Sequence, residues 1–202
     1  MIKDLPPFFY FRHGETAWNK ERRIQGQIDV PLNATGHMQA EAMAKRLLQE
    51  VSDPSEYRFV CSPLERTRQT MGYVLKAFGL PEDHTDTDDR LVELAYGVWE
   101  GEFWPDLNAA GIVPEKNPEA FHAWRPEKGE SYVDAQERAR DWLSSLDRPH
   151  IVVGHGALSR VIRGVIFGLE PRDIIQLKVP QTRFFRVADG GLDWFDAADL
   201  DA

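Results

Sequence analysis

The chain has 202 residues, 42% of them hydrophobic and 28% charged, with 24 basic against 33 acidic side chains and a formal charge of −9. One domain with its own core is expected, and disorder is excluded. So is nucleic-acid binding through a general basic surface, because phosphate-backbone affinity comes from accumulated positive charge. A single cysteine, Cys61, leaves no internal disulfide and no cysteine-rich zinc site. No apolar run reaches the ~20 residues of a membrane span, and residues 1–7 lack the apolar core of a signal peptide. A cytoplasmic protein without membrane partners is the expectation.

In chain order, Phe8 to Phe11 is an aromatic run of the length of a buried strand, ending at Arg12-His13-Gly14. Met38, Ala42, Leu47 and Val51 approximate one helix face. Arg58 to Cys61 is a second strand. Ser62-Pro63-Leu64-Glu65 then carries both a capping box and a proline at the first helical position, so Ser62 is expected to cap a helix with Leu64, Thr67, Met71, Val74 and Phe78 inward. Residues 79–131 are rich in proline, glycine and tryptophan and read as irregular, with a flap at about 98–130. Ser131 is expected to start a helix presenting Ala135, Ala139, Trp142 and Leu146. His150 to Val153 is a third strand, ending at Gly154-His155-Gly156, and Leu158, Ile162, Val165 and Leu169 describe the next helix. Residues 175–179, 184–187 and 192–195 alternate or cluster as further strands. The stretch 189–202, with five Asp and no Lys or Arg, reads as a solvated acidic tail.

Strands alternating with amphipathic helices predict an α/β fold with a mainly parallel central sheet covered on both faces. Ligands of such sheets bind outside the carboxyl ends of the strands. Two of the three best strands end there in a histidine beside glycine, His13 and His155. Arg12 precedes the first, and Arg66 lies in the first turn of a helix that follows a strand. In an acidic chain, guanidinium forks at strand ends point to phosphate binding. Histidine beside bound phosphate suggests a phosphorylated imidazole, with a carboxylic acid to protonate the leaving oxygen. Glu93, between apolar neighbours, is the candidate. The P-loop, the Gly-x-Ser-x-Gly elbow and His-Glu-x-x-His are absent, and the remaining histidines have no metal-ligand spacing. Gly154-His-Gly156 lacks the third glycine of a dinucleotide fingerprint, and Cys61 reads as a buried bystander.

Arg12-His13-Gly14-Glu15-Thr16 resembles the signature of the histidine phosphatase, or phosphoglycerate-mutase-like, superfamily. Trp18-Asn19, Arg22, Gln25-Gly26, Asp29 to Leu32 and Gly36-x-x-Gln39-Ala40 follow in that family's order. So do Ser62-x-Leu64-x-Arg66-x-x-x-Thr70, Leu91-x-Glu93-x-x-Tyr96-Gly97-x-Trp99-Glu100-Gly101, Gly129-Glu130-Ser131 and Gly154-His155-Gly156-x-x-x-Arg160. The resemblance implies a three-layer α/β/α sandwich. It makes His13 the phosphorylated nucleophile and Glu93 the proton donor. Arg12, Arg66, Asn19 and His155 would hold the phosphate, with Thr16, Gln25 and Gly26 in the substrate pocket. It implies a small phosphomonoester substrate and no metal or cofactor, and a homodimer is an expectation from the resemblance alone.

Two relatives in function compete with hydrolysis. Cofactor-dependent mutases carry a longer insertion after the Glu block, with a substrate-binding lysine about where Trp104 falls. Residues 102–111 contain no Lys or Arg, so a single phosphate clamp, and hydrolysis, is expected. A non-catalytic phosphate-binding protein is the other rival, disfavoured because His13, Glu93 and His155 are all present. Trp99, Phe103, Trp104, Phe121 and Trp124 are expected to form an aromatic wall favouring a leaving group with an apolar or planar part.

Overall fold

The computed structural model describes residues 4–109, 111 and 116–198. Its centre is a six-stranded sheet built from β1 (Phe8–Arg12), β2 (Arg58–Cys61), β3 (Asp86–Thr87), β4 (His150–Gly154), β5 (Arg183–Ala188) and β6 (Gly191–Asp196), in the order β3-β2-β4-β1-β5-β6. The first four strands run parallel, and β5 and β6 form an antiparallel hairpin on the far side of β1. The unbroken aromatic run of β1 is explained by its place: a strand buried on both faces has no polar side to alternate with. Phe8 and Tyr10 pack into one apolar cluster with α6 (Tyr132–Ser144) and α7 (Gly156–Phe167), around Trp142, Leu158 and Ile162. Phe9 and Phe11 pack into the other with α2 (Ala34–Leu47) and α3 (Glu65–Ala77), around Met43, Leu47, Met71 and Val74. The result is the expected three-layer sandwich. No helix among the described residues is long and apolar enough to cross a membrane.

Four local expectations are corrected. The buried stripe of α2 is Gly36, Ala40, Met43, Ala44 and Leu47, while Met38 is 64% exposed. The cause is Gly36, where a Cβ would come 2.0 Å from the Glu15 carbonyl. That backbone contact sets the rotation of the helix and turns Met38 outward.

Ser62 does not cap α3. The helix begins at Glu65 with Leu64 as N-cap, and the orphan N–H of Glu65 donates instead to the Asp29 carboxylate at 2.8 Å. Residues 175–179 are no strand. Ile174 and Ile175 lie in α8 (Pro171–Gln176), and the carbonyls of Leu177, Lys178 and Val179 accept from Arg160, Arg163 and Arg12 rather than from a neighbouring strand. The acidic stretch is largely structured: a turn at Asp189 and Gly190, both with positive φ, leads into β6, where Trp194 packs edge-on against Phe185. Residues 199–202 lie outside the described residues.

The irregular segment contains α4 (Trp104–Ala109) and α5 (Pro118–Ala123). It is tied to the loop after α1 (Ala17–Lys20) by backbone bonds Ile24 N–H to Glu102, Gly101 N–H to Ile24 and Trp104 N–H to Arg22. Its residues 110 and 112–115 are outside the described residues. Ser131 caps α6 as expected, its hydroxyl accepting from Asp134 N–H in a capping box.

Candidate active site

Strand register brings the site together. Arg12 of β1 is level with Gly154 of β4, Cys61 of β2 is level with Val153, and the His13 N–H donates to the Gly154 carbonyl at 3.0 Å. His13 and His155 therefore leave the sheet side by side, with ring centroids 5.2 Å apart. His13 is 2% exposed and His155 wholly buried.

The hydrogen bonds identify the tautomers. His13 Nδ1 lies 2.7 Å from the Gly14 carbonyl, which can only accept. Nδ1 therefore carries the proton, and Nε2 keeps its lone pair. For His155 the order is reversed: Arg66 Nε donates to Nδ1 at 3.3 Å, leaving Nε2–H to donate to Ser62 Oγ at 2.8 Å. Burial, then the Arg66 guanidinium, holds both imidazoles well below their ordinary pKa. Both rings are neutral, the state a nitrogen nucleophile requires.

Arg12 donates through NH1 to the Val179 carbonyl at 2.6 Å, and its buried Nε has no partner among the described residues. Burial pushes this guanidinium down to about 10, against the pull of Glu93. An unsatisfied buried cationic donor at a strand end is suited to an incoming oxyanion. Arg66, which is fully buried, holds the neighbouring loop by donating to the carbonyls of Gly26 and Ile28, both at 2.8 Å.

Glu93 meets the histidines from a different chain segment. The N-cap of α7 is His155, whose side chain makes no capping bond. The Glu93 carboxylate fills that vacancy, accepting from the N–H groups of Ala157 and Leu158 at 3.1 and 3.0 Å. Its own segment is anchored by Arg138, which donates to the carbonyls of Arg90 and Val92 and pairs with Glu130 at 2.6 Å. Glu130 in turn accepts from Ala95 N–H.

The remaining expected residues divide. Asn19, Gln25 and Gly26 line the cavity. Asn19 Oδ1 accepts from Thr16 N–H and from Gln181 Nε2, which leaves its amide nitrogen for a ligand. Thr16 does not line the cavity. It is the fully buried N-cap of α1, and its hydroxyl accepts from Asn19 N–H and donates to Gln25 Oε1. It supports two lining residues from behind. His155 is likewise absent from the lining and stands behind His13.

The histidine phosphatase superfamily (branch 1) pattern matches residues 8–191. The chain belongs to this family. It is 35% identical over 164 residues to the metal-independent phosphoserine phosphatase of Arabidopsis thaliana, a match covering 75% of this chain and 64% of that protein. It therefore spans less than two thirds of that relative. It is 33% identical over 190 residues to a Yersinia enterocolitica protein named "Probable phosphoglycerate mutase GpmB", covering 89% of this chain and 83% of that one. Among solved structures, mycobacterial glucosyl-3-phosphoglycerate phosphatase in complex with VO3 superposes with a TM-score of 0.77 and 26% identity. That alignment covers 95% of this chain and 96% of the other.

In this member of the histidine phosphatase superfamily the cavity beside His13 measures about 330 Å³. Its outer part differs from the sequence expectation in two ways. Only Trp104 and Phe121 of the five aromatics line it. Trp99 stacks on Trp124 with centroids 4.2 Å apart, and Phe103 lies 4.1 Å under Arg23, so the flap consumes these rings in its own packing. Three arginines without an assigned role, Arg22, Arg23 and Arg160, face the cavity, together with Tyr96 and Tyr132. Arg160 was detectable: it sits four residues after Gly156, on the same face of a helix that starts at a strand end. Arg22 and Arg23 reach the cavity through loop geometry, which periodicity does not report.

Proposed function

We propose that the protein hydrolyses a small phosphomonoester through a phosphohistidine on His13, without a metal. The observation that carries this reading is the locked tautomer: Nδ1–H is tied to Gly14, so the Nε2 lone pair faces an arginine-lined cavity. In the first step Nε2 attacks phosphorus, the bond to the leaving oxygen breaks, and Glu93 gives that oxygen a proton. In the second, water attacks phosphorus, the P–N bond breaks, and Glu93 takes the water's proton. Arg12, Arg66 and the Asn19 amide offset the charge on the equatorial oxygens, with His155 held behind by Ser62 and Arg66. The phosphatases among the relatives, one of them named metal-independent, support hydrolysis.

Rapid quenching of turnover on a 32P-labelled substrate tests it. Label is expected on the protein after alkaline quench, lost after acid quench and absent from His13→Ala, with chelators leaving the rate unchanged. Acid-stable label or a metal requirement would refute the mechanism.

Mutase chemistry is the second reading. It draws support from the mutase-named relative and from Arg22, Arg23 and Arg160, which exceed the single phosphate clamp expected from sequence. Incubation with 3-phosphoglycerate separates the two: release of inorganic phosphate is expected, and isomerisation without release would favour the mutase.

A further inference from the structure

Five arginines face the cavity, Arg12, Arg22, Arg23, Arg66 and Arg160, against one carboxylate, Glu93. A phosphate dianion offsets two of them and Glu93 at most one more. Arg23 is matched by Glu21, 3.3 Å from its Nε. Among the groups lining the cavity, positive charge is in excess, in an otherwise acidic protein.

The unmatched group can be named. Arg12, Arg23, Arg66 and Arg160 each donate to a backbone carbonyl. Arg22 is exposed, and among the described residues its guanidinium has no hydrogen-bond or ion-pair partner. Its backbone sits at φ +60, a region a residue with a Cβ disfavours and glycine enters freely. That backbone is fixed from both sides. Its N–H donates to the Asn19 carbonyl, beside the phosphate end, and its own carbonyl accepts from Trp104 N–H, in the flap. The turn thus holds a free cation at the cavity rim, where glycine would fit with less strain.

Resting on the hydrolase reading above, we infer that Arg22 is a specificity residue that reads a second anionic group, carboxylate or phosphate, on the leaving part of the substrate. The flap places this contact away from the reacting phosphorus, so it acts on binding.

The test compares kcat/KM of the whole chain for O-phosphoserine and 3-phosphoglycerate (carboxylate), fructose 1,6-bisphosphate (second phosphate), and glycerol phosphate and p-nitrophenyl phosphate (no second anion). Arg22→Gly is expected to lower the ratio of kcat/KM for substrates with a second anion to that for substrates without one about tenfold, mainly through KM. Arg22→Lys should retain most of it. The anionic group whose ratio falls further is the one recognised. Melting temperature is expected to stay within about 3 °C of the parent in Arg22→Gly, since strain is relieved while chain entropy is added. An unchanged ratio, or an equal fall for all substrates, overturns the inference while leaving the hydrolase intact. Turnover of none of the five by the parent protein overturns the hydrolase reading and this inference with it.

Discussion

The Tyr10 hydroxyl accepts from the backbone N–H of His155 at 2.9 Å and donates to the carbonyl of that same residue at 3.1 Å. Two adjacent strands thereby hold the residue behind His13 at both of its backbone polar groups. Gly154 is the glycine this contact requires, because a Cβ there would lie 2.2 Å from the tyrosine oxygen.

Tyr10→Phe leaves the His155 N–H buried and unpaired, a loss of about 1–3 kcal/mol. As a positioning change acting through His155, it is expected to lower kcat more than it raises KM. Gly154→Ala should cost about 1–3 kcal/mol by overpacking. Because the nearest clash is with the hydroxyl, while ring Cζ at 2.8 Å stays in Tyr10→Phe, the double variant should be partly relieved and less destabilised than the two losses combined. Urea denaturation of the four proteins reads this cycle, and strict additivity would remove the proposed coupling.

The parts of this architecture legible in sequence were those set by local pattern. Unbroken apolar runs marked β1 and β4, and the residues just past them, His13 and His155, were found by the strand-end rule. What escaped was set by partners far along the chain. Ser62 has the spacing of a cap, but Asp29 caps α3 and Ser62 serves His155. Met38 has the right hydrophobicity, yet Gly36 turns α2 by its contact with Glu15. Residues 175–179 alternate like a strand, yet their backbone is taken up by arginine side chains. Glu93 and Glu130 both stand in sequence motifs, whereas Arg138 and the anchoring contacts that join it to Glu130 are visible only once the chain is folded.

Glu93→Gln separates chemistry from capping. The amide can still accept from one N–H of α7 but cannot supply a proton. A kcat loss of about 10²–10⁴ is expected on alkyl phosphates, and a much smaller loss on p-nitrophenyl phosphate, whose leaving group departs as a stabilised phenolate. Weaker capping should also cost about 0.3–1 kcal/mol. Steady-state rates on both substrates check it, and equal losses would remove Glu93 as proton donor.

Gly36→Ala tests the support under the His13 loop. A Cβ at Gly36 would meet the Glu15 carbonyl at 2.0 Å, and one at Gly14 would meet the Gly36 carbonyl at 2.3 Å, so the His13 loop and the start of α2 touch backbone to backbone. Forcing them apart is expected to cost at least about 1–3 kcal/mol. It should also lower kcat by shifting His13 relative to Arg66. A variant as stable and active as the parent would show that the contact yields freely.

The depressed histidines give stability a sign with pH. Both His13 and His155 are held well below 6.5 in the folded protein, chiefly by burial and then by Arg66. The unfolded chain therefore binds more protons below that pH, so folding stability is fully present above about 6.5 and falls as the solution is acidified toward the folded-state values. Each histidine contributes a slope that rises to at most about 1.4 kcal/mol per pH unit in that window. His13→Ala removes one of the two, and its stability should decline less steeply between pH 6.5 and 5 by urea denaturation. The same depression keeps Nε2 unprotonated, so the acid limb of kcat/KM, corrected for ionisation of the substrate phosphate near pKa about 6, is expected below pH 6.5. A limb centred at 6.5, with parallel stability curves for the two proteins, would mean that the site protonates like free imidazole.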